Sequence, residues 1–547
     1  MTTIDYKSER EKDILAIKNS NHPRKIIVAG PGTGKSYLFG ELIKERKKKG
    51  QTKFLAITFI GKLGDALADD LCGLAGTTTM HGFARKFVLK QYPEWTYYPR
   101  IYQIITEDLK AKGINKFEIG DKNYVDKSKF YKAVGDDDVI YYAVQICKKD
   151  EDKIPVFDLI LIDEYQDFNS IESEFVDLLA KKNEIVIVGD DDQALYGFKG
   201  SSPAFIREKF HNSNTDWESR TLRFCNRCTE VIIKYFHALV ERYNLNSDSG
   251  PDPKKRRIKK KFICYTPEGE RDSKINDSKE NSKIHLIQNC PPDMIAYKIW
   301  KELENLTADQ NIKDVLVIGE GRSCKTTLRR VAQQLKDRGF KYVDSKYADE
   351  ILPLRHDIIN AYKLLAKDSS SLLGWRILNN PSDNDRQNHL KKTKILNCLV
   401  GGTPSEIEKI KNNDIRLLEG YIEKSGLKEE EECIKQDEII HHKVFIRELK
   451  NTNPTFPRPL CNLGITVCNI LNSKGLGADI IFLIGFDQGR FPTKTKPNEG
   501  EIYQMLVAVT RAKKRIYLIN TIGKNVSSFI EALATDDLYI ETVNVNT

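Results

Sequence analysis

Two stretches decide the fold: LILIDEYQDFNS (159–170) and IVIVGDDDQALYGFKG (185–200). Each opens on a Val/Ile/Leu run without alternation, the pattern of a strand covered on both faces of a parallel sheet. The first run ends in Asp163, Glu164, Gln166 and Asp167, and Gln193 follows the second. Open α/β sheets bind ligands beyond the carboxyl ends of their strands. These ends therefore predict a nucleotide site, with Gln193 as its sensor.

The same alternation extends outward. KIIVAG (25–30) reads as a strand entering PGTGKS (31–36) and an amphipathic helix. FLAITF (54–59) reads as a second strand, followed by helices over GKLGDALADDLC (61–72) and TTTMHGFARKFVLK (77–90). Residues 91–155 read as a mainly helical insertion. After Arg223 a second block offers strands at SKIHLIQN, DVLVIG, ITVCNIL, IIFLIGF and RIYLIN, with helices between them. A helical stretch over about 366–459, with a capping box at Thr403–Glu406, interrupts this block. Alternating strands and helices predict an α/β fold with parallel sheets.

A chain of 547 residues exceeds one ordinary core, so three or four domains are expected. The composition, 40% hydrophobic and 30% charged, is that of a soluble globular protein, and the net charge of +9 leans toward a polyanionic partner. The 11 cysteines form no regular framework and the first residues carry no apolar signal core, so a cytoplasmic protein is expected. No run has the length of a membrane span. Cys225 and Cys228 form a CxxC, but no second pair completes a four-thiolate zinc set. The basic run from Lys254 to Lys261 reads as a solvated loop in preference to a dedicated phosphate-binding strip.

AGPGTGKS (29–36) matches the phosphate-loop pattern, with Ala29 where Gly is more usual. Gly30, Pro31, Gly32, Thr33 and Gly34 form a loop of small residues, whose backbone N–H groups can wrap phosphate oxygens at a helix N-terminus. Lys35 would reach the β and γ phosphates of ATP, and Ser36 would ligate Mg²⁺. Asp163 is assigned to the metal and Glu164 to the general base, the minimum for hydrolysing a phosphoanhydride. Asp167 is also a candidate cap for the following helix. Gln193 can bond both γ-phosphate and attacking water. Arg227 and Arg511 are candidate guanidinium groups supplied from the second block, linking closure to hydrolysis.

In this order the segments AGPGTGKS, ITFIGKLGDAL, TMHGFA, LIDEYQD, GDDDQALYGFKGS, TLRFCNRC, ILNSKGL and VAVTRAKK resemble superfamily 1 helicases of the UvrD/PcrA/Rep type. The resemblance covers both α/β blocks. It implies two RecA-like P-loop NTPase domains, each with a small helical insertion: 1–90 with 156–222, insertion 91–155, 223–365 with 460–547, insertion 366–459. It also implies ATP between the two domains and single-stranded or partly duplex DNA across them. Carried over by position, Phe59, Lys62, His81, Tyr196, Phe198, Lys199 and Lys474 contact the nucleic acid. Phe198 stands where the family usually has Trp, and Lys199 where it has Arg.

The sequence also departs from that pattern. There is no Gln before Gln51 to read adenine, Asn226 replaces a base-stacking Tyr, and Leu471 and Gly477 replace a His and a Glu. The function implied is a nucleic-acid-dependent ATPase that moves 3′ to 5′ on DNA or unwinds it. The departures favour an alternative, a nucleotide-gated DNA-sensing subunit. Compact members of this kind occur in antiphage systems, including the helicase-like subunit of Gabija, where a nuclease subunit is the partner.

Overall fold

Strands that are apolar along their whole length need cover on both faces, and this requirement arranges the first half of the chain. The computed structural model describes residues 6–59, 61–197, 200–211, 216–243, 245, 252–264, 273–306, 312–321, 324–345, 361, 364–365, 368, 370–378 and 463–544. Phe198 and Lys199, and the capping box at Thr403–Glu406, lie outside these residues.

Six strands form one parallel sheet in the order Gly76–Thr79, Phe54–Thr58, Leu159–Ile162, Ile185–Gly189, Arg24–Ala29, Glu218–Leu222. The strands 54–58, 159–162 and 185–189 are buried at every residue and occupy the middle. The polar strands 76–79 and 218–222 take the edges, where a half-solvated strand costs least. Ile162 pairs with Ile187 and Val28 with Gly189. This register brings the ends of three neighbouring strands, carrying the phosphate loop, Asp163 and Asp190, to one edge.

Seven strands form a second parallel sheet in the order Tyr342–Ser345, Gly464–Asn469, Asp314–Gly319, Ala478–Ile484, Ala512–Thr521, Ile284–Cys290, Leu538–Thr542. The outer two, 342–345 and 538–542, have no counterpart among the predicted strands. Tyr342, Tyr539 and Ile540 are about half exposed, so these edges lack the continuous apolar signature that marks a central strand. The fold is thus α/β with two large parallel sheets, as RecA-like domains require.

Both sheets fall in one compact unit, Met1–Met80 with Ile154–Ala348 and Pro454–Thr547. A second unit comprises His81–Lys153 and Asp349–Asn453. Its described part contains the helices Ile101–Ala111, Lys122–Tyr131 and Val139–Lys149, with a short pairing of Thr96–Tyr97 to Ala133–Val134. Ile101, Ile105, Tyr124 and Leu373 share its core, and buried Arg376 bonds Asp108 and Glu107, each at 2.9 Å. Among the described residues no helix is long and apolar enough to cross a membrane.

Candidate nucleotide site

The phosphate loop turns sharply from strand to helix. Gly32 and Gly34 have φ of 66° and 87°, a left-handed backbone that side-chain-bearing residues rarely adopt. The helix Lys35–Lys48 follows at once, so its first N–H groups face the turn. Gly32 also meets a close neighbour: a Cβ there would lie 2.3 Å from the Arg227 Cβ. A Cβ on Gly30 would strike the Phe262 ring at 2.0 Å. The turn is therefore glycine-rich for two reasons, phosphate approach and the closeness of residues 227 and 262. Asn226 is exposed and donates its N–H to the Gly32 carbonyl at 2.9 Å.

Opposite the loop, Asp163 and Glu164 leave their strand in a forced geometry. Glu164 has φ 55° and ψ 39°, a conformation that costs a non-glycine residue roughly 1–2 kcal/mol. Its side chain is held on three sides. Lys35 Nζ donates to Oε1 at 2.7 Å, Gln166 Nε2 donates to Oε2 at 2.6 Å, and Lys474 Nζ lies 3.3 Å from Oε2. Burial alone would raise the Glu164 pKa, but Lys35 and Lys474 hold it well below the ordinary carboxylate value. Asp163, 3.6 Å from Lys35 Nζ, is pushed above its ordinary value by burial. Burial also disfavours the Lys35 ammonium, yet Asp163 and Glu164 together keep its pKa raised.

Gln166 joins the two diagnostic strands. Its Oε1 accepts the Asp190 N–H at 3.0 Å and would lie 2.6 Å from a Cβ on Gly189, which explains glycine there. Asp167 does not cap the next helix. Asn169 does, in a capping box with Glu172. That leaves Asp167, fully buried, to accept the Leu195 N–H at 3.0 Å and to pair with Lys474.

Gln193 sits between the sheets with both ends of its amide engaged. Nε2 donates to Asp190 Oδ2 at 2.5 Å, and Oε1 accepts from Arg511 Nη2 at 3.0 Å. Arg511 ends the helix Glu499–Thr510, which Asn498 and Glu501 cap at its start. The Arg511 guanidinium also donates to the carbonyls of Val507 and Leu476, at 3.1 and 3.2 Å. Burial and then the neighbouring Arg227 charge press its pKa down to about 10. The Arg227 guanidinium lies 3.6 Å from where a Cβ on Gly477 would stand.

The structure thus gathers Lys35, Asp163, Glu164, Gln193, Arg227 and Arg511 around the phosphate loop. Ser36, second residue of the loop's helix, is half-buried. The donor set fits a Mg²⁺ triphosphate: a turn with three glycines, a helix N-terminus, one ammonium, one hydroxyl and two carboxylates.

The residues expected on nucleic acid are less uniform. Phe59 and Tyr196 pack on each other, ring centroids 4.9 Å apart. Lys62 lies in the first turn of the helix Gly61–Leu71, and His81 is half-buried in the helix Met80–Gln91. Lys474 differs from the expectation. Its side chain is 2% exposed and points to Asp167 and Glu164, with the Tyr196 ring 5.7 Å away. A lysine in SKGL carries no sequence signal that separates a phosphate contact from a buried counter-ion.

The basic run is corrected in part. Lys255, Lys259 and Lys261 are exposed as expected of a solvated loop, but Arg257 and Lys260 turn inward to the Asp190–Asp192 triplet. Sequence reasoning missed this pairing and the cover that Phe262 gives Gly30. The one available signal was that three acids directly after a buried strand need counter-charges.

A UvrD/REP helicase N-terminal domain model matches residues 106–214. The chain is 24% identical over 413 residues to the putative ATP-dependent DNA helicase YjcD of Bacillus subtilis (strain 168), covering 66% of this chain and 51% of that protein. It is 22% identical over 427 residues to the ATP-dependent DNA helicase Rep of Buchnera aphidicola, covering 65% of this chain and 62% of the relative. A shorter match, 30% over 236 residues, is to an ATP-dependent helicase/nuclease subunit of Lactococcus lactis, with 38% of this chain and 19% of that protein covered. The chain therefore spans about half to three fifths of the first two relatives.

Proposed function

The chain is UvrD-like, of superfamily 1, and from that premise we propose that it is a nucleic-acid-dependent ATPase that translocates 3′ to 5′ on DNA or unwinds it. One observation carries the reading: Gln193 bridges Asp190 of the first sheet and Arg511 of the second, beside the phosphate loop. A group that must respond to a γ-phosphate belongs between the two halves that the phosphate would draw together.

In this reading the loop Gly30–Gly34 and Lys35 bind the triphosphate of ATP. Ser36 and Asp163 would hold Mg²⁺, which supplies charge neutralisation at the phosphates. Glu164 receives the proton of the attacking water. Its contacts with Lys35 and Lys474 keep it ionised, and it becomes an effective base when one of those cations turns to phosphate. Gln193 orients the water, and Arg227 and Arg511 offset the charge that develops on the transferred group. Phe59 and Tyr196 form a surface on which bases stack. Lys474 serves as a link between Glu164, Asp167 and Tyr196, and so between hydrolysis and that surface. Residues 1–90 with 156–222 and 223–365 with 460–547 are the two motor domains, with insertions at 91–155 and 366–459.

A second reading, a nucleotide-gated DNA sensor that works with a nuclease, draws support from the match to a helicase/nuclease subunit. Gly477 supports it too, since it leaves the Arg227 guanidinium beside a position with no side-chain carboxylate.

The test is steady-state hydrolysis of ATP, GTP and CTP, each with and without single-stranded DNA and RNA. DNA-stimulated turnover that disappears in Lys35→Ala is expected. Full turnover in Lys35→Ala would overturn the site. Stepping kinetics on end-labelled strands then separate motor from sensor: stimulated hydrolysis without directional motion favours the sensor.

A further inference from the structure

Three adjacent carboxylates, Asp190, Asp191 and Asp192, are each fully buried, with ligand oxygens within 4.8 Å of one another. Such a cluster could suggest a cation site. Its charges are already met. Lys260 Nζ lies 2.6 Å from Asp190 Oδ1 and 3.0 Å from Asp192 Oδ2, and also contacts Asp191. Arg207 Nε donates to Asp191 at 2.9 Å, and Arg257 Nε donates to Asp192 at 2.6 Å. Three acids face three bases, so the knot is neutral and offers no surplus charge to a metal. Removing one partner from such a buried set leaves an uncompensated charge.

The three cations differ in what lies beyond them. Arg207 and Arg257 bond Asp191 and Asp192. Lys260 alone of the three bonds Asp190, whose other oxygen accepts the Gln193 amide N–H. A Gln amide can flip, exchanging donor for acceptor. An ionised Asp190 accepts only, so Nε2 must face it and Oε1 must face Arg511. Burial favours the protonated Asp190, which would present an O–H and remove that constraint; the Lys260 charge opposes it.

We propose that Lys260, in the basic run outside every recognised motif, is a positioning residue for hydrolysis: through Asp190 it fixes the orientation in which Gln193 meets Arg511. This rests on the ATPase reading above. Within the run, exposed lysines stay in solvent, Arg257 neutralises Asp192, and Lys260 reaches Asp190 and through it Gln193.

The test compares Lys260→Met with Arg257→Met, which removes a charge from the same knot without touching Asp190. DNA-stimulated kcat is expected to fall about tenfold in Lys260→Met with little change in KM for ATP, because a misplaced positioning group costs turnover. Arg257→Met is expected to lose stability but keep kcat within about twofold, since Arg257 bonds Asp192 and not the Asp190 carboxylate that holds Gln193. Combined with Gln193→Ala, Lys260→Met should add no further loss, because both act through one group. If Lys260→Met does not fold, the comparison is made in Asp191→Asn/Lys260→Met, where acid and base remain balanced. Independent, multiplying losses in Lys260→Met/Gln193→Ala, or an equal fall of kcat in Arg257→Met, would overturn the proposal. A wild-type protein without ATPase activity would instead refute the function on which it rests.

Discussion

The two sheets bring opposite edges to the same site. The first presents the carboxyl ends of its strands: Ala29 into the phosphate loop, Ile162 into Asp163 and Glu164, Gly189 into the acid triplet. The second presents amino ends. Lys474 lies just before the strand Ala478–Ile484 and Arg511 just before Ala512–Thr521, and Ala478 pairs with Ala512. The charges are opposite as well: acids on the first edge, Lys474 and Arg511 on the second. A buried acid edge is costly without partners, and a second sheet that delivers cations can open and close it. The rule that ligands lie at carboxyl ends finds the first edge and is silent about the second.

The sharpest way to break the comparison is to remove the guanidinium from the second edge. Arg511→Ala should lower DNA-stimulated kcat by about 10³-fold, the range for a supplied arginine at a phosphoryl group. The fold should remain, since helix 499–510 keeps its cap. Single-turnover hydrolysis checks it, and activity within tenfold of wild type would mean that the second sheet does not serve the chemistry.

Lys474→Met probes the pairing itself. It leaves Asp167 buried without its cation, and unfolding stability in urea should fall by about 3 kcal/mol, the low end for breaking a buried pair. Asp167→Asn added to it should recover part of the loss. An unchanged midpoint would show that the contact between Asp167 and Lys474 is not a stabilising link.

A smaller contrast concerns pH. In the second sheet His285 stacks on Tyr517, centroids 4.7 Å apart, and burial, then the Arg515 charge, lowers its pKa from 6.5 to about 4. The unfolded chain then binds more protons between these values, so stability is lost as pH falls from 6.5 toward 4. Between pH 6.5 and 5 the loss should be about 2 kcal/mol relative to His285→Phe, by 1.36 kcal/mol per pH unit. Urea melts of both proteins at the two pH values decide it; parallel pH dependence would rule out His285 as the source.

How much was legible varies by element. The central strands were plain because complete burial demands unbroken apolar runs, as in LILI and IVIV. The edge strands 342–345 and 538–542 were not, because half-exposed residues need no such run. The carboxylates at 163 and 164 and the loop at 30–36 stood out because their residue types are fixed by local chemistry. Lys474 was legible as a residue, though not as a buried counter-ion. Lys260 was hidden inside a run of seven like residues.

The sequence by itself determined two parallel sheets, a phosphate loop and the acids beside it, since strand periodicity and turn chemistry act between residues close in the chain. Which cation answers which acid was decided only by tertiary structure. Lys474 reaches Asp167 across 307 positions and Arg511 reaches Gln193 across 318, and charge pairing over such separations depends on where the backbones meet. A lysine on the surface and a lysine in a buried knot are the same letter; burial alone makes one a solvated charge and the other a fixed part of the site.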